Sequence, residues 1–119
     1  MALQEASANN RMDIVELLIQ QGANVNALTD DAQVVASQEG YVEVVQLLIQ
    51  HGANVQAGNN AAREASQFGH PGVVQLLIQH GADVHAWDDV ALRLACWNGQ
   101  ADVVQLLLQH GADVHGQRR

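Results

Sequence analysis

At 119 residues the chain has room for one domain of average size and is too short for two. Apolar residues make up 48% of it but aromatic residues only 3%, which favours small, closely spaced helices over a sandwich of aromatic strands. A formal net charge of −8, with thirteen acidic residues and no lysine, argues against binding to nucleic acid or to anionic membranes, because both depend on Lys and Arg.

The chain carries no recognisable export or membrane signal. No apolar run approaches the roughly 20 residues that span a bilayer, and the N-terminus lacks a basic region followed by an apolar stretch. Cys96 is the single cysteine, so no internal disulfide can form. We therefore expect a soluble protein that is intracellular and cytoplasmic.

A unit of about 30 residues recurs four times along the chain. Its clearest block reads QGANVNA at 21–27 and HGADVHG at 110–116, and successive copies are spaced by 30, 29 and 30 residues. Self-similarity at a fixed period of this size is typical of stacked repeat arrays. We predict a single repeat domain over residues 1–119, with units at about 1–27, 28–57, 58–86 and 87–116 and a tail at 117–119.

Each unit is predicted to contain two short helices. The first, for example residues 91–98, is rich in small residues, and the second, for example 101–109, carries Val and Leu at helical period. The second helix has an acid in its first turn in three units, and a glycine follows it in all four, where a left-handed residue can end a helix. These positions are Asp13, Glu43 and Asp102, and Gly22, Gly52, Gly81 and Gly111. The predicted fold is therefore an all-α solenoid of four helix pairs.

Residues 69–83, which read GHPGVVQLLIQHGAD, resemble the second helix of the ankyrin repeat, G-H-x-x-[IV]-V-x-L-L-L-x-x-G-A-[DN]. Ankyrin units usually run to about 33 residues and open with a T-P-L-H turn. The shorter period here implies that about three residues are missing from the hairpin loop before the first helix. Units of this length resemble those common in large DNA viruses.

The shortened loop is predicted to be a tight turn. It would be formed by residues 28–31, 58–60 and 87–90, with Asp30, Asn59 and Asp89 as N-caps of the first helices.

The polar residues that could carry chemistry are better explained by structure. Cys96 stands where the other units have Ser7, Ser37 and Ser66, so we expect its thiol to fill a small-residue position in the packing. Five of the six histidines recur with the repeat and lack the tight four-ligand spacing of structural zinc. The paired acids 30–31 and 88–89 are interpreted as caps and solvated charges. We predict no enzyme, no cofactor and no metal site.

The resemblance to ankyrin implies that a partner protein binds at the turn before the first helix and at the end of that helix. In this chain those positions are Leu28, Thr29, Asp30, Gln38, Glu39, Asn59, Gln67, Phe68, Trp87, Asp88, Trp97 and Asn98. Three of the four aromatic residues fall among them, and we predict that Phe68, Trp87 and Trp97 form one patch. The acidic charge favours a neutral or basic partner surface.

Two other functions stay open at this level. A small ligand or nucleotide could stack on Trp87 and Trp97 beside Arg93, and the near-identical second helices would also suit a structural or engineered scaffold. The fourth unit is as apolar as the second, although terminal units of arrays usually have a polar outer face. The chain is therefore either part of a longer array or able to self-associate through this uncapped end.

Overall fold

The computed structural model describes residues 2–21, 27–52, 60–83 and 86–111; for Gln4, residues 27–30, Asn60 and residues 86–88 it describes the backbone alone. Within these ranges the chain forms eight α-helices and no strand. Their bounds are α1 (Ala2–Ala8), α2 (Met12–Gln20), α3 (Ala27–Glu39), α4 (Val42–Gln50), α5 (Asn60–Gln67), α6 (Pro71–Gln79), α7 (Ala86–Trp97) and α8 (Ala101–Gln109).

The helices form two layers. The odd-numbered helices pack side by side in the order α1, α3, α5, α7, and the even-numbered helices pack in the order α2, α4, α6, α8. Each odd-numbered helix also packs against the even-numbered helix that follows it. The result is an elongated stack of helix pairs, 46 × 24 × 19 Å. We call α1, α3, α5 and α7 the inner helices and the others the outer helices.

The core follows from the two kinds of helix. Small residues such as Ala36 and Ala65 are fully buried on the inner helices, which lets neighbouring helices approach closely. The outer helices contribute branched side chains, of which Val45, Leu48 and Leu77 are fully buried. Burying each such leucine stabilises the fold by about 1.5–3 kcal/mol. The prediction of an all-α array of helix pairs is confirmed.

The outer helices agree closely with the sequence prediction. The helix predicted at 101–109 is observed as Ala101–Gln109, and acids lie in the first turns of α2, α4 and α8. Gly52, Gly81 and Gly111 have φ between 95° and 100°, as a left-handed helix end requires. Gly22 lies outside the described residues.

The inner helices correct the predicted tight turns. Residues 28–31 and 87–90 lie within α3 and α7, which are 13 and 12 residues long, so Asp30 and Asp89 are not N-caps. These segments contain neither Gly nor Pro, and acids suit the first turn of a helix. The corresponding stretch of the third unit contains Gly58, a poor helix former, and α5 begins only at Asn60. Asn59 lies outside the described residues.

Candidate functional site

The inner helices end along one edge of the stack. Because equivalent helices lie side by side in successive units, the last residues of α3, α5 and α7 are neighbours along this edge. We call it the inner-helix edge. It contains six of the residues predicted to bind a partner, namely Gln38, Glu39, Gln67, Phe68, Trp97 and Asn98.

The two aromatic residues of the inner-helix edge face solvent. Trp97 is 89% exposed and Phe68 is 46% exposed. Gln38, Glu39 and Asn98 are also exposed, whereas Gln67 is half-buried. An alternative role for Trp97, that of folding down to cover a neighbouring helix, is inconsistent with this exposure. Its indole is available to another molecule.

The backbone of Trp87 lies apart from that of Trp97. Trp87 is the second residue of α7 and Trp97 is the last, so the two residues stand at opposite ends of the helix. Of the three aromatics predicted to form one patch, the side chains of Phe68 and Trp97 are described, and that of Trp87 lies outside the described residues. Leu28 and Asp30 lie in the first turn of α3, and Asp88 lies in the first turn of α7 beside Trp87. The side chains of these residues lie outside the described part of the structure.

Asn98 has an internal role as well as an exposed position. Its side-chain amide donates to the carbonyl of Leu94 over 2.8 Å, and Asn9, at the equivalent position, donates to the carbonyl of Glu5 over 2.7 Å. Each of these carbonyls also accepts the backbone N–H of the same asparagine, so the side-chain amide adds a second hydrogen bond at the end of the helix. Asn98 therefore stabilises the end of its own helix, whatever else it contacts.

A hydrogen bond from the third unit to the second, and another from the fourth unit to the third, cross the inner-helix edge. The Nε2 atom of His70 lies 2.9 Å from the carbonyl oxygen of Gln38, and the Nε2 atom of Gln100 donates to the carbonyl of Gln67 over 3.1 Å. Both side chains pass over a left-handed glycine, where a Cβ atom would overlap them. The signal in the sequence was a polar residue directly before the outer helix, and it was missed.

The repeated helix pair, the left-handed glycine and the bridge between units together define the architecture. A family model described as ankyrin repeats (three copies) matches residues 3–88 and 36–118. The chain belongs to the ankyrin repeat family. No curated protein compared with the chain matches it significantly. Ankyrin repeats are in general protein–protein interaction modules and are typically not enzymes.

The fourth ankyrin unit leaves a groove open on the side away from the third. The groove has a volume of about 570 Å³ and its lining includes Ala95, Cys96, Val104 and Leu108. Cys96 is exposed, although the serines at the equivalent positions of the other three units are fully buried. The prediction that its thiol fills a packed position is therefore wrong, because no further unit covers it among the described residues.

The remaining charged candidates of this ankyrin array are dispersed. Asp89 is fully buried within α7 with a φ of 59°, so it is not the solvated charge that the sequence predicted. Asp31 is exposed in α3. Among the described side chains no three His, Cys, Asp or Glu lie close enough to share a metal ion. None of the described helices is both long and apolar enough to span a membrane.

Proposed function

We propose that this chain binds a partner protein through the inner-helix edge, with Phe68 and Trp97 at the centre of the contact. The observation that carries the proposal is the 89% exposure of Trp97. A tryptophan side chain buries more area in a contact than almost any other, and aromatic residues dominate the binding energy of protein interfaces. Left in water, this indole contributes little to the fold.

The surroundings of the two aromatics indicate the chemistry of the partner. Gln38, Glu39 and Asn98 are exposed beside them and provide a polar rim with one negative charge. The whole chain carries a charge of −8. We infer a partner surface that is neutral or basic and has an apolar recess for the indole, and not a nucleic acid or an anionic lipid surface.

A larger partner would also reach the other end of the inner helices. Leu28 and Asp30 of α3, and Trp87 and Asp88 of α7, lie at that end, and the chain enters α5 there after Asn59. We propose these residues as a second, outlying contact region. A partner that spans both ends would have to lie along the length of an inner helix.

The test compares two truncations of exposed apolar side chains. Trp97→Ala should reduce capture of the partner from a lysate of cells that contain it by about ten-fold or more, as for an interface hot spot. Leu17→Ala is the matched control, because Leu17 is 53% exposed on α2, away from the inner-helix edge, and this variant should bind normally. If Trp97→Ala captures the same protein as strongly as the control does, the proposal is wrong.

One observation favours a small-ligand site as a second candidate function. Arg93 is exposed on α7 one helical turn before Trp97, so a planar anionic ligand could stack on the indole and pair with the guanidinium. Trp87, at the other end of α7, would not take part. A change in tryptophan fluorescence on adding ATP that disappears in Arg93→Ala would support this function over protein binding.

A further inference from the structure

Among the described residues, the first and the last helix pair each have one face that no other unit covers. The tail face consists of residues of α7, α8 and the turn between them that line the groove on the side away from the third unit, namely Ala95, Cys96, Gly99, Ala101, Val104, Gln105, Leu108 and Gln109. The head face, on α1 and α2 at the opposite end, consists of Ala2, Glu5, Asn9, Arg11, Ile14 and Leu17. Inside the array, the equivalent faces of neighbouring units pack against each other.

The tail face exposes side chains that are buried in the interior units. Val45 and Val74 are fully buried, whereas the equivalent Val104 is only partly buried. Leu108 is 41% exposed, and Cys96 is exposed. The tail face therefore corresponds to the surface of each earlier unit against which the next unit packs.

The head face shows the complementary pattern. Ile14 is 43% exposed, whereas Val44 and Val73, at the equivalent position, are fully buried against the preceding unit. Leu17 is 53% exposed, whereas the equivalent Leu47 is partly buried. The head face thus presents the apolar side chains that a tail face receives.

The two groups that form the polar bridge between units are also present at the ends of the array, the donor at the head face and the carbonyl beside the tail face. Arg11 stands at the position of His70 and Gln100, and its φ and ψ of −95° and 78° match the −89° and 76° of Gln100. At the other end, a Cβ atom added at Gly99 would meet none of the described residues within 4 Å beyond its chain neighbours, whereas one added at the equivalent Gly69 would overlap Gln100. The carbonyl of Trp97 corresponds to that of Gln67, which accepts the bridge inside the array. The guanidinium of Arg11 in a second copy is a donor suited to this carbonyl.

The charge of the chain is not concentrated on these faces. The tail face holds no charged residue, and the head face holds one acid and one base, Glu5 and Arg11. An acid at the position of Glu5 is tolerated inside a stack, because the equivalent Glu64 side chain is only 21% exposed between α3 and α7. Local repulsion between the two faces is therefore small.

We propose that the tail face of one copy binds the head face of a second copy, so that the second copy continues the stack as the next repeat would. The contact reproduces the packing of α5 and α6 against α7 and α8, with Arg11 bridging to the carbonyl of Trp97. The two faces are different surfaces, so the association is head-to-tail and forms open chains of copies. The proposal is independent of the partner that the inner-helix edge binds.

The test measures the mass of the whole chain by sedimentation velocity over a series of concentrations up to millimolar. The average mass of the wild type should rise with concentration, while Leu108→Glu (tail face) and Leu17→Glu (head face) should each stay monomeric. Mixing these two variants is the decisive step, because each retains the face that the other has lost. The mixture should form a dimer that grows no further.

Controls separate this contact from others. Phe68→Glu places the same charge on the inner-helix edge and should associate like the wild type, and Arg11→Ala should weaken association by about ten-fold. Circular dichroism must show all variants folded, as expected for substitutions at exposed positions. A wild type that stays monomeric throughout would overturn the proposal, as would a mixture of the two variants that remains monomeric or variants that still associate alone.

Discussion

At Gly40, Gly69 and Gly99 the backbone makes the same left-handed turn, with φ of 80°, 78° and 69°. A side chain of the next unit covers the first two glycines, whereas a Cβ atom added at the third would meet none of the described residues within 4 Å beyond its chain neighbours. At the scale of single residues, these glycines share one backbone conformation and differ in whether a side chain of the next unit covers them. The same contrast distinguishes the buried Ser66 from the exposed Cys96.

This contrast predicts different costs for the same substitution. Gly99→Ala should lower the free energy of unfolding by about 1–2 kcal/mol, the cost of a left-handed alanine. Gly69→Ala should cost about 1–3 kcal/mol more, because its Cβ also displaces the Gln100 amide and leaves the carbonyl of Gln67 without that bond. Urea unfolding of both variants measures the difference. Equal losses would show that the bridge contributes nothing.

Trp97 should contribute little to the stability of the fold. Because it is 89% exposed, Trp97→Ala should change the free energy of unfolding by less than about 0.5 kcal/mol. Leu77→Ala, a truncation at a fully buried position, should cost about 2–5 kcal/mol. Thermal and urea unfolding of the two variants provide the comparison. A large loss for Trp97→Ala would make the indole a structural residue and remove the argument for binding.

The sequence located Phe68 and Trp97 on the inner-helix edge because their place within the repeat is clear from the spacing. It could not show that Trp87 and Trp97 stand at opposite ends of one helix, since that depends on where α7 begins. Nor could it show that Asp89 is buried, because burial of a charged residue depends on contacts that no local pattern encodes.

At the scale of elements, the outer helices were predictable and the starts of the inner helices were not. A strong apolar period and a terminal glycine define α4, α6 and α8 locally. The segments before Asp31 and Val90 lack such signals, and their residues belong to the first turns of α3 and α7. Expecting a turn from the acids alone was wrong because acids are equally suited to the first turn of a helix.

Proline substitutions test where the inner helices begin. Asp31 is the fifth residue of α3, so Asp31→Pro removes a helical hydrogen bond and should cost about 3 kcal/mol. Asn60, at the equivalent position of the third unit, is the first residue of α5, where proline is tolerated, and Asn60→Pro should cost little. Urea unfolding compares them. If Asp31→Pro is as harmless as Asn60→Pro, α3 begins near Asp31, as the sequence analysis predicted.

At the scale of the whole molecule, the chain combines an acidic surface with two faces of almost no net charge. The sequence indicated an apolar, uncapped fourth unit, but the head face and its match to the tail face required the three-dimensional stack. Stacked repeats contact only their neighbours, so the two ends of an array remain equivalent to interior surfaces. The proposed self-association and the proposed partner binding therefore use different side chains, although the carbonyl of Trp97 belongs to the first contact and its indole to the second.

Salt should affect these two processes in opposite directions. Raising the salt concentration from about 0.01 M to about 1 M shortens the Debye length from about 30 Å to about 3 Å. Repulsion between copies that each carry a charge of −8 is then screened, so self-association should strengthen. Binding of a basic partner should weaken over the same range. Sedimentation and affinity measurements in one salt series would show these opposite changes. Self-association and partner binding that change in the same direction would contradict the proposed use of two separate surfaces.

Hydrogen–deuterium exchange of the chain with and without its captured partner tests the central claim most directly. If the inner-helix edge is the binding surface, amides in the last turns of α5 and α7, around Phe68 and Trp97, should exchange more slowly in the complex. The amides of the outer helices α4 and α6 should keep their rates and serve as the internal reference. Protection confined to the outer helices, with unchanged exchange around Phe68 and Trp97, would contradict the account.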